Sequence, residues 1–256
     1  MRTGSWRNAG TWARLSSFRS ALVTGGRSGI GQAIVRALER EGTDVQVLDL
    51  ADGFDVGDPR TWDGVGRVDG AFLNAGVVTG ERLIGRVSDE QYARIRGANL
   101  DGVVFGVRRL AQVMHEGAIV VTASLAGLVA TDNDPLYALT KHAVVGFVRS
   151  LAPTVAGDGI TVHAICPGLT NTAIMGDEAR AHLRDVGFPL MAPEQIAAAV
   201  VTAATAPDRS GACWVCQPGR PPVVYQFRDV PGPRTEGTEG RVPPGIRDGE
   251  PGIFRR

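Results

Sequence analysis

The sequence contains a single lysine. Among the 27 Lys and Arg residues of the 256-residue chain, only Lys141 is a lysine. The three cysteines are too few and too unevenly placed for a disulfide framework, so we expect a reducing, cytoplasmic environment. No apolar run approaches the roughly 20 residues that a membrane-spanning helix needs. The formal net charge is zero, which argues against a nucleic-acid binder and a polybasic membrane anchor.

The chain divides into three stretches by composition. Hydrophobic residues make up 43% of it, enough for the core of one α/β domain, which we place at residues 19–216. Residues 1–18 carry arginine but no acid; we favour a disordered extension, or a start codon placed too far upstream, over a transit peptide. Residues 217–256 are rich in Pro, Gly and Arg and predict an extended tail.

Apolar spacing predicts strands that alternate with helices. Short apolar runs predict strands at residues 20–24, 44–48, 118–121, 159–166 and 212–215. Helical spacing occurs at residues 30–40, 99–116, 135–156 and 193–206. Such alternation favours a parallel sheet covered by helices.

The lone lysine stands four residues after Tyr137, inside a predicted helix. At that spacing two side chains share one helix face. An ammonium beside a phenol stabilises the phenolate, so we expect Lys141 to lower the pKa of Tyr137 and make it usable as an acid or base. The alternative is an exposed Tyr/Lys pair without a role.

A glycine-rich turn joins the first predicted strand to the first predicted helix, from Gly25 to Gly31. This arrangement aims backbone N–H groups and a helix N-terminus at a phosphate. The second predicted strand ends at Asp49, 18 residues after Gly31. A carboxylate there accepts ribose hydroxyls and repels a 2′-phosphate, which favours NAD over NADP. Arg27 is the counter-argument, because it could reach a 2′-phosphate.

From Ser20 to Val215 the chain resembles the classical short-chain dehydrogenases/reductases. Thr24–Gly31 resembles the TGxxxGIG signature, and the other motifs follow in the family's order. Ser124 precedes Tyr137 by 13 residues, the family's usual separation. The remaining motif residues are Asp55-Val56, Asn74-Ala75-Gly76, Asn99, and Pro167-Gly168 with Thr172.

The resemblance implies a fold, an activity and a set of residues. The fold is a single-domain Rossmann α/β fold, with a doubly wound parallel seven-stranded sheet and helices on both faces. The activity is hydride transfer between a secondary alcohol or ketone and NAD, NADP being less favoured, by a homodimer or homotetramer. The implied catalytic residues are Asn99, Ser124, Tyr137 and Lys141. The implied cofactor-binding residues are Thr24, Gly25, Arg27, Ser28, Gly29, Ile30, Gly31, Asp49, Asp55, Val56, Asn74, Ala75, Gly76, Tyr137, Lys141, Pro167, Gly168 and Thr172; no metal is implied.

The chain departs from the family pattern in two places. Leu73 stands where the family has the first Asn of its NNAG motif. Residues 49–69 are short and rich in Gly, Asp and Pro, so we expect the family's helix to be lost there. A vestigial strand around Phe54 and an adenine pocket open on one side are the expected result.

A non-catalytic NAD(H)-binding redox sensor and a nucleotide-sugar epimerase share parts of the pattern, although the filled catalytic set favours an enzyme.

We interpret Cys213 and Cys216 as core residues, since positions three apart on a strand face opposite sides. Residues 171–187 predict a mobile lid that favours an apolar substrate.

Overall fold

The computed structural model describes residues 18–228. Its sheet has seven strands: β1 (Ser20–Thr24), β2 (Asp44–Leu48), β3 (Gly70–Leu73), β4 (Gly117–Thr122), β5 (Ile160–Pro167), β6 (Cys213–Cys216) and β7 (Val223–Val224). The helices are α1 (Gly29–Arg40), α2 (Asp89–Arg96), α3 (Gly102–Val113), α4 (Pro135–Val155), α5 (Asp177–Asp185) and α6 (Pro193–Ala204). The predictions for residues 1–17 and 229–256 lie outside the described residues.

The strands follow the order β2-β1-β3-β4-β5-β6-β7. Strands β1 to β6 are parallel, and β7 runs antiparallel to β6. The chain builds outward from β1 to β2 and then crosses to β3 on the other side of β1. Ligands of open parallel sheets bind at such a switch point, beyond the carboxyl ends of the strands.

Helices cover both faces of the sheet, as the sequence predicted. Helices α1 and α6 pack on one face, where Ile34, Val200 and the β-strand residues Val23 and Val120 share one buried cluster. Helices α3 and α4 pack on the other face. The central strands β3 and β4 are almost fully buried, which is why their sequences are continuous apolar runs rather than alternating ones.

The strand expected around Phe54 does not form. Residues 49–69 contain only two short 3-10 turns, Leu50–Asp52 and Pro59–Gly64. Gly53 adopts a left-handed conformation with φ of 83°, and Pro59 has no N–H for a sheet ladder. The seventh strand is therefore β7, which comes from the segment predicted to be an extended tail.

Trp62 fills the space over α3 that this shortened segment leaves. Its indole is buried, donates to the Val56 carbonyl at 3.0 Å and meets Phe54 edge-on at 5.2 Å between ring centroids. A Cβ on Gly106 of α3 would lie 2.6 Å from the Trp62 ring. Glycine on α3 thus lets the loop pack closely in place of a helix.

Cys213 and Cys216 are both buried in β6, and neither forms a disulfide. Within residues 18–228 no three His, Cys, Asp or Glu side chains come together in a way that could hold a metal ion. In the same range no helix is long and apolar enough to cross a membrane.

Candidate active site

The four predicted catalytic residues lie at the carboxyl-terminal edge of the sheet or on the helices next to it. Ser124 follows the end of β4 by two residues, and Tyr137 and Lys141 lie in the first two turns of α4. Asn99 lies in a π-helical turn, Gly97–Asp101, between α2 and α3. π-helical turns are rare in proteins, and those that do occur often lie at functional sites.

The Ser124 turn packs directly against α4. Ser124 begins a 3-10 turn, Leu125–Gly127, and its hydroxyl accepts the Ala126 N–H at 3.1 Å. A Cβ on Gly127 would lie 2.5 Å from the Lys141 carbonyl oxygen. Glycine at this position therefore allows the turn to approach α4 at the level of the Tyr137/Lys141 pair.

Tyr137 is not tuned in the way the sequence predicted. Burial raises the pKa of its phenol, and the hydrogen bond with the Ser124 side chain opposes this shift only in part. The nearby Asp134 carboxylate raises the pKa further. The expectation that Lys141 lowers this pKa is therefore wrong in the structure, which favours the protonated phenol.

Lys141 is almost completely buried, at 4% exposure. Its ammonium Nζ donates to the Thr122 carbonyl at 2.8 Å and lies 5.5 Å from the centroid of the Tyr137 ring. Burial lowers the pKa of Lys141 to about 8. The only lysine of the chain is thus fixed between the end of β4 and the tyrosine ring.

Asn99 is buried, and its amide group holds neighbouring residues. Its Oδ1 accepts the Val77 N–H at 2.8 Å, and its Nδ2 donates to the Val77 carbonyl at 2.9 Å and to Thr140 Oγ1 at 3.0 Å. A Cβ on Gly76 would lie 3.2 Å from Asn99 Oδ1 and 3.5 Å from Lys141 Nζ. Asn99 and Lys141 therefore flank the same glycine.

Asp134 organises this region, and sequence reasoning missed it. Its carboxylate caps α4 by accepting the Tyr137 N–H at 2.9 Å, and it also accepts the N–H groups of Thr79 and Gly80 at 2.7 and 3.1 Å. An Asp followed directly by Pro is a helix-start signal that could have identified the cap. Its second role, holding residues 79–80 about 55 positions earlier in the chain, has no local signal.

Side chains at the ends of β1 and β3 hold the glycine turn in place. Thr24 Oγ1 accepts the N–H groups of Asn74 and Ala75 at 2.9 and 3.0 Å, which ties the ends of β1 and β3 together. A Cβ on Gly31 would collide with the Gly25 carbonyl oxygen. Asn74 links the turn to β4, because its Nδ2 donates to the Gly25 carbonyl at 3.4 Å and its Oδ1 accepts the Thr122 hydroxyl at 3.2 Å.

The start of α1 fits an anionic group. No acidic residue lies in its first turn, and Ser28, at the N-cap, makes no side-chain hydrogen bond to the helix. The first N–H groups of the helix are therefore not capped by that side chain, in the arrangement that binds phosphate. The residues present fit the dinucleotide that the motif implies.

Asp49 lies beside this turn, at the end of β2. Its carboxylate accepts the backbone N–H of Arg27 at 3.0 Å and that of Ala51 at 3.0 Å. The Arg27 guanidinium points elsewhere: it forms a two-pronged ion pair with Asp52, at 2.7 and 3.0 Å. Arg27, which could bind a 2′-phosphate, and Asp49, which would repel one, thus lie next to each other.

Other predicted cofactor residues occupy distinct places around the same edge. Asp55 is exposed and accepts the Gly57 N–H at 2.8 Å. Val56 is buried and packs against Gly102 of α3, near Thr24 and Ala75. Gly168 follows the end of β5, and its N–H donates to the Cys216 carbonyl at 2.9 Å. Ile30 packs partly buried against the core under α1.

The predicted lid is a long loop that carries helix α5 and is closed at its base. Thr170 bridges to Met191, and the Asn171 N–H donates to the Met191 carbonyl at 2.9 Å. Thr172 reaches the glycine turn, since a Cβ on Gly29 would lie 3.2 Å from its Cγ2. A cavity of about 490 Å³ opens within the loop, lined by Asn171, Arg180, Arg184, Phe188 and Leu190. The lining thus adds two arginines to the apolar side chains that the sequence led us to expect in the lid.

Together the fold and the site define a Rossmann-type domain with a serine, a tyrosine and a lysine at the carboxyl edge of its sheet. Residues 60–182 match the family model described as short chain dehydrogenase. Similar curated proteins include a short-chain dehydrogenase/reductase, ATR7, of Stachybotrys chlorohalonatus, 30% identical over 72% of this chain and 66% of that protein. Another is 3beta-hydroxysteroid dehydrogenase 2 of Eggerthella lenta, 31% identical over 61% of this chain and 72% of that protein.

A solved structure is also similar to this chain. A putative NAD(P)-dependent gluconate 5-dehydrogenase from Beutenbergia cavernae, with bound NADP at low occupancy, is 28% identical. It matches with a TM-score of 0.68 over 79% of this chain and 96% of that one. The chain belongs to the short-chain dehydrogenase/reductase family, a family of oxidoreductases.

Proposed function

We propose that this protein transfers a hydride between a secondary alcohol, or the corresponding ketone, and a nicotinamide dinucleotide, with NAD preferred. The observation that carries the proposal is the meeting of three groups from two parts of the fold: the Ser124 hydroxyl after β4, and the Tyr137 phenol and buried Lys141 ammonium on α4. A packed core alone does not require a buried lysine, because burying a charge is costly.

Tyr137 is the proposed acid and base. Its raised pKa keeps the phenol protonated near neutral pH, so it can donate its proton to a ketone oxygen. The phenolate left by that donation is the form that accepts the alcohol proton in the opposite direction. Ser124, whose side chain hydrogen-bonds with Tyr137, holds the same substrate oxygen and stabilises the charge that develops on it.

Lys141 is the proposed ligand of the nicotinamide ribose. With a pKa of about 8, it is mostly protonated at neutral pH. Its bond to the Thr122 carbonyl leaves two further N–H donors on the ammonium. Asn99 supports this region by holding Val77 beside Gly76, and we propose that it also orders a water that relays protons to Lys141.

The cofactor would lie across the switch point between β1 and β3. The start of α1 would hold the pyrophosphate, with Thr172 at the edge of the glycine turn, and Asp49 would accept the adenosine ribose hydroxyls. Asp55 and Val56 would border the adenine. When bound, the nicotinamide supplies or accepts the hydride. The Asp49 carboxylate is the basis for preferring NAD.

The chemistry of the site and one relative support the proposed substrate class. The Eggerthella lenta relative is named for a hydroxysteroid, which supports a secondary alcohol as the reacting group. The lid cavity has Phe188 and Leu190 on its lining beside Arg180 and Arg184. We propose a substrate with an apolar body, and a homo-oligomeric enzyme; exposed Val104 and Leu139 on α3 and α4 support an interface on those helices. We also propose that it works in the cytoplasm.

An assay with the full chain tests the proposal. Reduction of NAD is followed at 340 nm with a panel of secondary alcohols, and oxidation of NADH with the matching ketones. Turnover on any member supports an oxidoreductase. Tight NADH binding without turnover across the panel would favour the redox-sensor alternative instead. Light scattering of the same sample gives the oligomeric state.

A further inference from the structure

The Arg27–Asp52 ion pair joins the glycine turn to the loop after β2. The Arg27 Nε and Nη2 atoms donate to the two oxygens of Asp52 at 2.7 and 3.0 Å. Arg27 is the only basic residue of the turn from Gly25 to Gly31. Its backbone N–H binds Asp49 at the same time, so all three residues lie at the proposed ribose end of the cofactor site.

The stability of the fold does not explain this pair. The two side chains are 59% and 40% exposed, and ion pairs on the surface contribute little to stability because water and salt screen them. What the pair does change is the availability of Arg27. A guanidinium bound at two points by one carboxylate cannot offer the same two N–H groups to another anion.

The availability of Arg27 matters for the choice between NAD and NADP. NADP differs from NAD by a phosphate on the adenosine ribose, and arginine recognises phosphate with the same two-pronged geometry that it uses for a carboxylate. Asp52 and a 2′-phosphate are therefore competitors for Arg27. The hydrogen bond from Arg27 lowers the pKa of Asp52, so this competitor stays ionised at neutral pH.

We propose that Asp52 is a specificity residue: by holding the Arg27 guanidinium, it keeps that cation from a 2′-phosphate and so strengthens the preference for NAD over NADP. The inference rests on the proposed binding of a nicotinamide dinucleotide. It adds a second acid to the role of Asp49, because Asp49 repels the phosphate directly whereas Asp52 acts through Arg27.

The test is a double-mutant cycle on the full chain, read by binding rather than turnover. Kd values for NADH and NADPH are measured by calorimetry for wild type, Asp52→Ala, Arg27→Ala and the double variant. Asp52→Ala should shift the ratio of the two Kd values toward NADPH by about tenfold, the order expected for one freed charge-assisted contact. When Arg27 is already alanine, adding Asp52→Ala should leave the Kd ratio unchanged. Because both side chains are exposed, all four proteins should fold, which circular dichroism checks.

Asp58→Ala is the matched control. Asp58 lies in the same segment and forms a similar two-pronged pair with Arg60, at 2.6 and 3.0 Å. Its removal should leave the Kd ratio unchanged. A shift that persists in the double variant would overturn the proposal, because Asp52 would then act by repulsion alone. No shift in Asp52→Ala would also overturn it while leaving NAD binding intact.

The wild-type values separate this failure from that of the proposed function. If wild type binds neither nucleotide, both the proposed function and the role of Asp52 are wrong. If wild type binds NADPH more tightly than NADH, hydride transfer survives as a proposal, but the NAD preference and the role of Asp52 do not.

Discussion

The proposed proton-transfer end and the proposed ribose end of the site are built in opposite ways. Around Tyr137, the supporting groups Asn99, Asp134 and Lys141 are buried, and each is bonded to groups from another element. Around Asp49, the contacts are made by exposed side chains such as Arg27 and Asp52. Buried polar networks hold one geometry and are costly to break. Exposed ion pairs are cheap to change, so the second region can alter cofactor choice without disturbing the fold.

The largest effect is expected at the phenol. Tyr137→Phe removes the proposed proton donor while keeping the ring, so turnover should fall by about 100-fold or more, and NADH binding should remain. Stopped-time assays and calorimetry measure the two quantities. Tyr92→Phe is the control, since Tyr92 is an exposed tyrosine on α2; full turnover in Tyr137→Phe would remove the phenol from the mechanism.

The cap of α4 should come next. Asp134→Ala deletes a helix cap and leaves the buried Thr79 N–H without its partner, so we expect a loss of about 3 kcal/mol in the free energy of unfolding. Urea titration measures it. Asp132→Ala is the control, because Asp132 lies two residues away, is exposed and pairs only with Arg82 among the contacts of the described chain. Equal losses in the two variants would contradict the bracing role of Asp134.

At the exposed end, Asp49→Ala should change affinity rather than stability. Removing the carboxylate takes away both the proposed ribose acceptor and the charge proposed to oppose a 2′-phosphate. The ratio of the NADH and NADPH Kd values should shift toward NADPH by about tenfold, with little change in melting temperature. A wild type that already prefers NADPH would show that the ribose argument is wrong.

The smallest effect is expected in the pH dependence of stability, and it comes from Lys141. Burial lowers the pKa of Lys141 to about 8, whereas in the unfolded chain it lies near its ordinary value of about 10.4. Between these values the unfolded state binds more protons, so the free energy of unfolding rises with pH in that window. Relative to Lys141→Met, the wild type should gain about 1 kcal/mol per pH unit from pH 8 to about 10. Parallel curves for the two proteins would mean that Lys141 is not buried as a charge.

Local patterns were enough for much of the fold. The buried strands β1, β4 and β5 and the glycine turn were all predicted from short stretches of sequence, because each is defined by neighbouring residues. The same holds for Tyr137 and Lys141, which one helix turn brings together.

What sequence reasoning missed depends on distant contacts. Strand β7 is only two residues long, too short for any periodicity, and forms because β6 offers it an edge. Trp62 replaces a helix through its fit to Gly106, and Asp52 meets Arg27 across 25 positions of the chain. The pKa of Tyr137 was mispredicted for the same reason, because spacing along a helix says nothing about how deeply the pair is buried.

Strand β7 has a consequence for handling the protein. It pairs with Trp214 and Val215, and the Tyr225 N–H donates to the Cys213 carbonyl at 2.8 Å. Without it, the apolar Cys-Trp-Val-Cys strand would present unpaired backbone groups to solvent, which is the template on which sheets aggregate. The composition of residues 217–256 suggests truncating the chain after Gln217. Such a truncation would remove β7, expose the edge of β6 and favour aggregation.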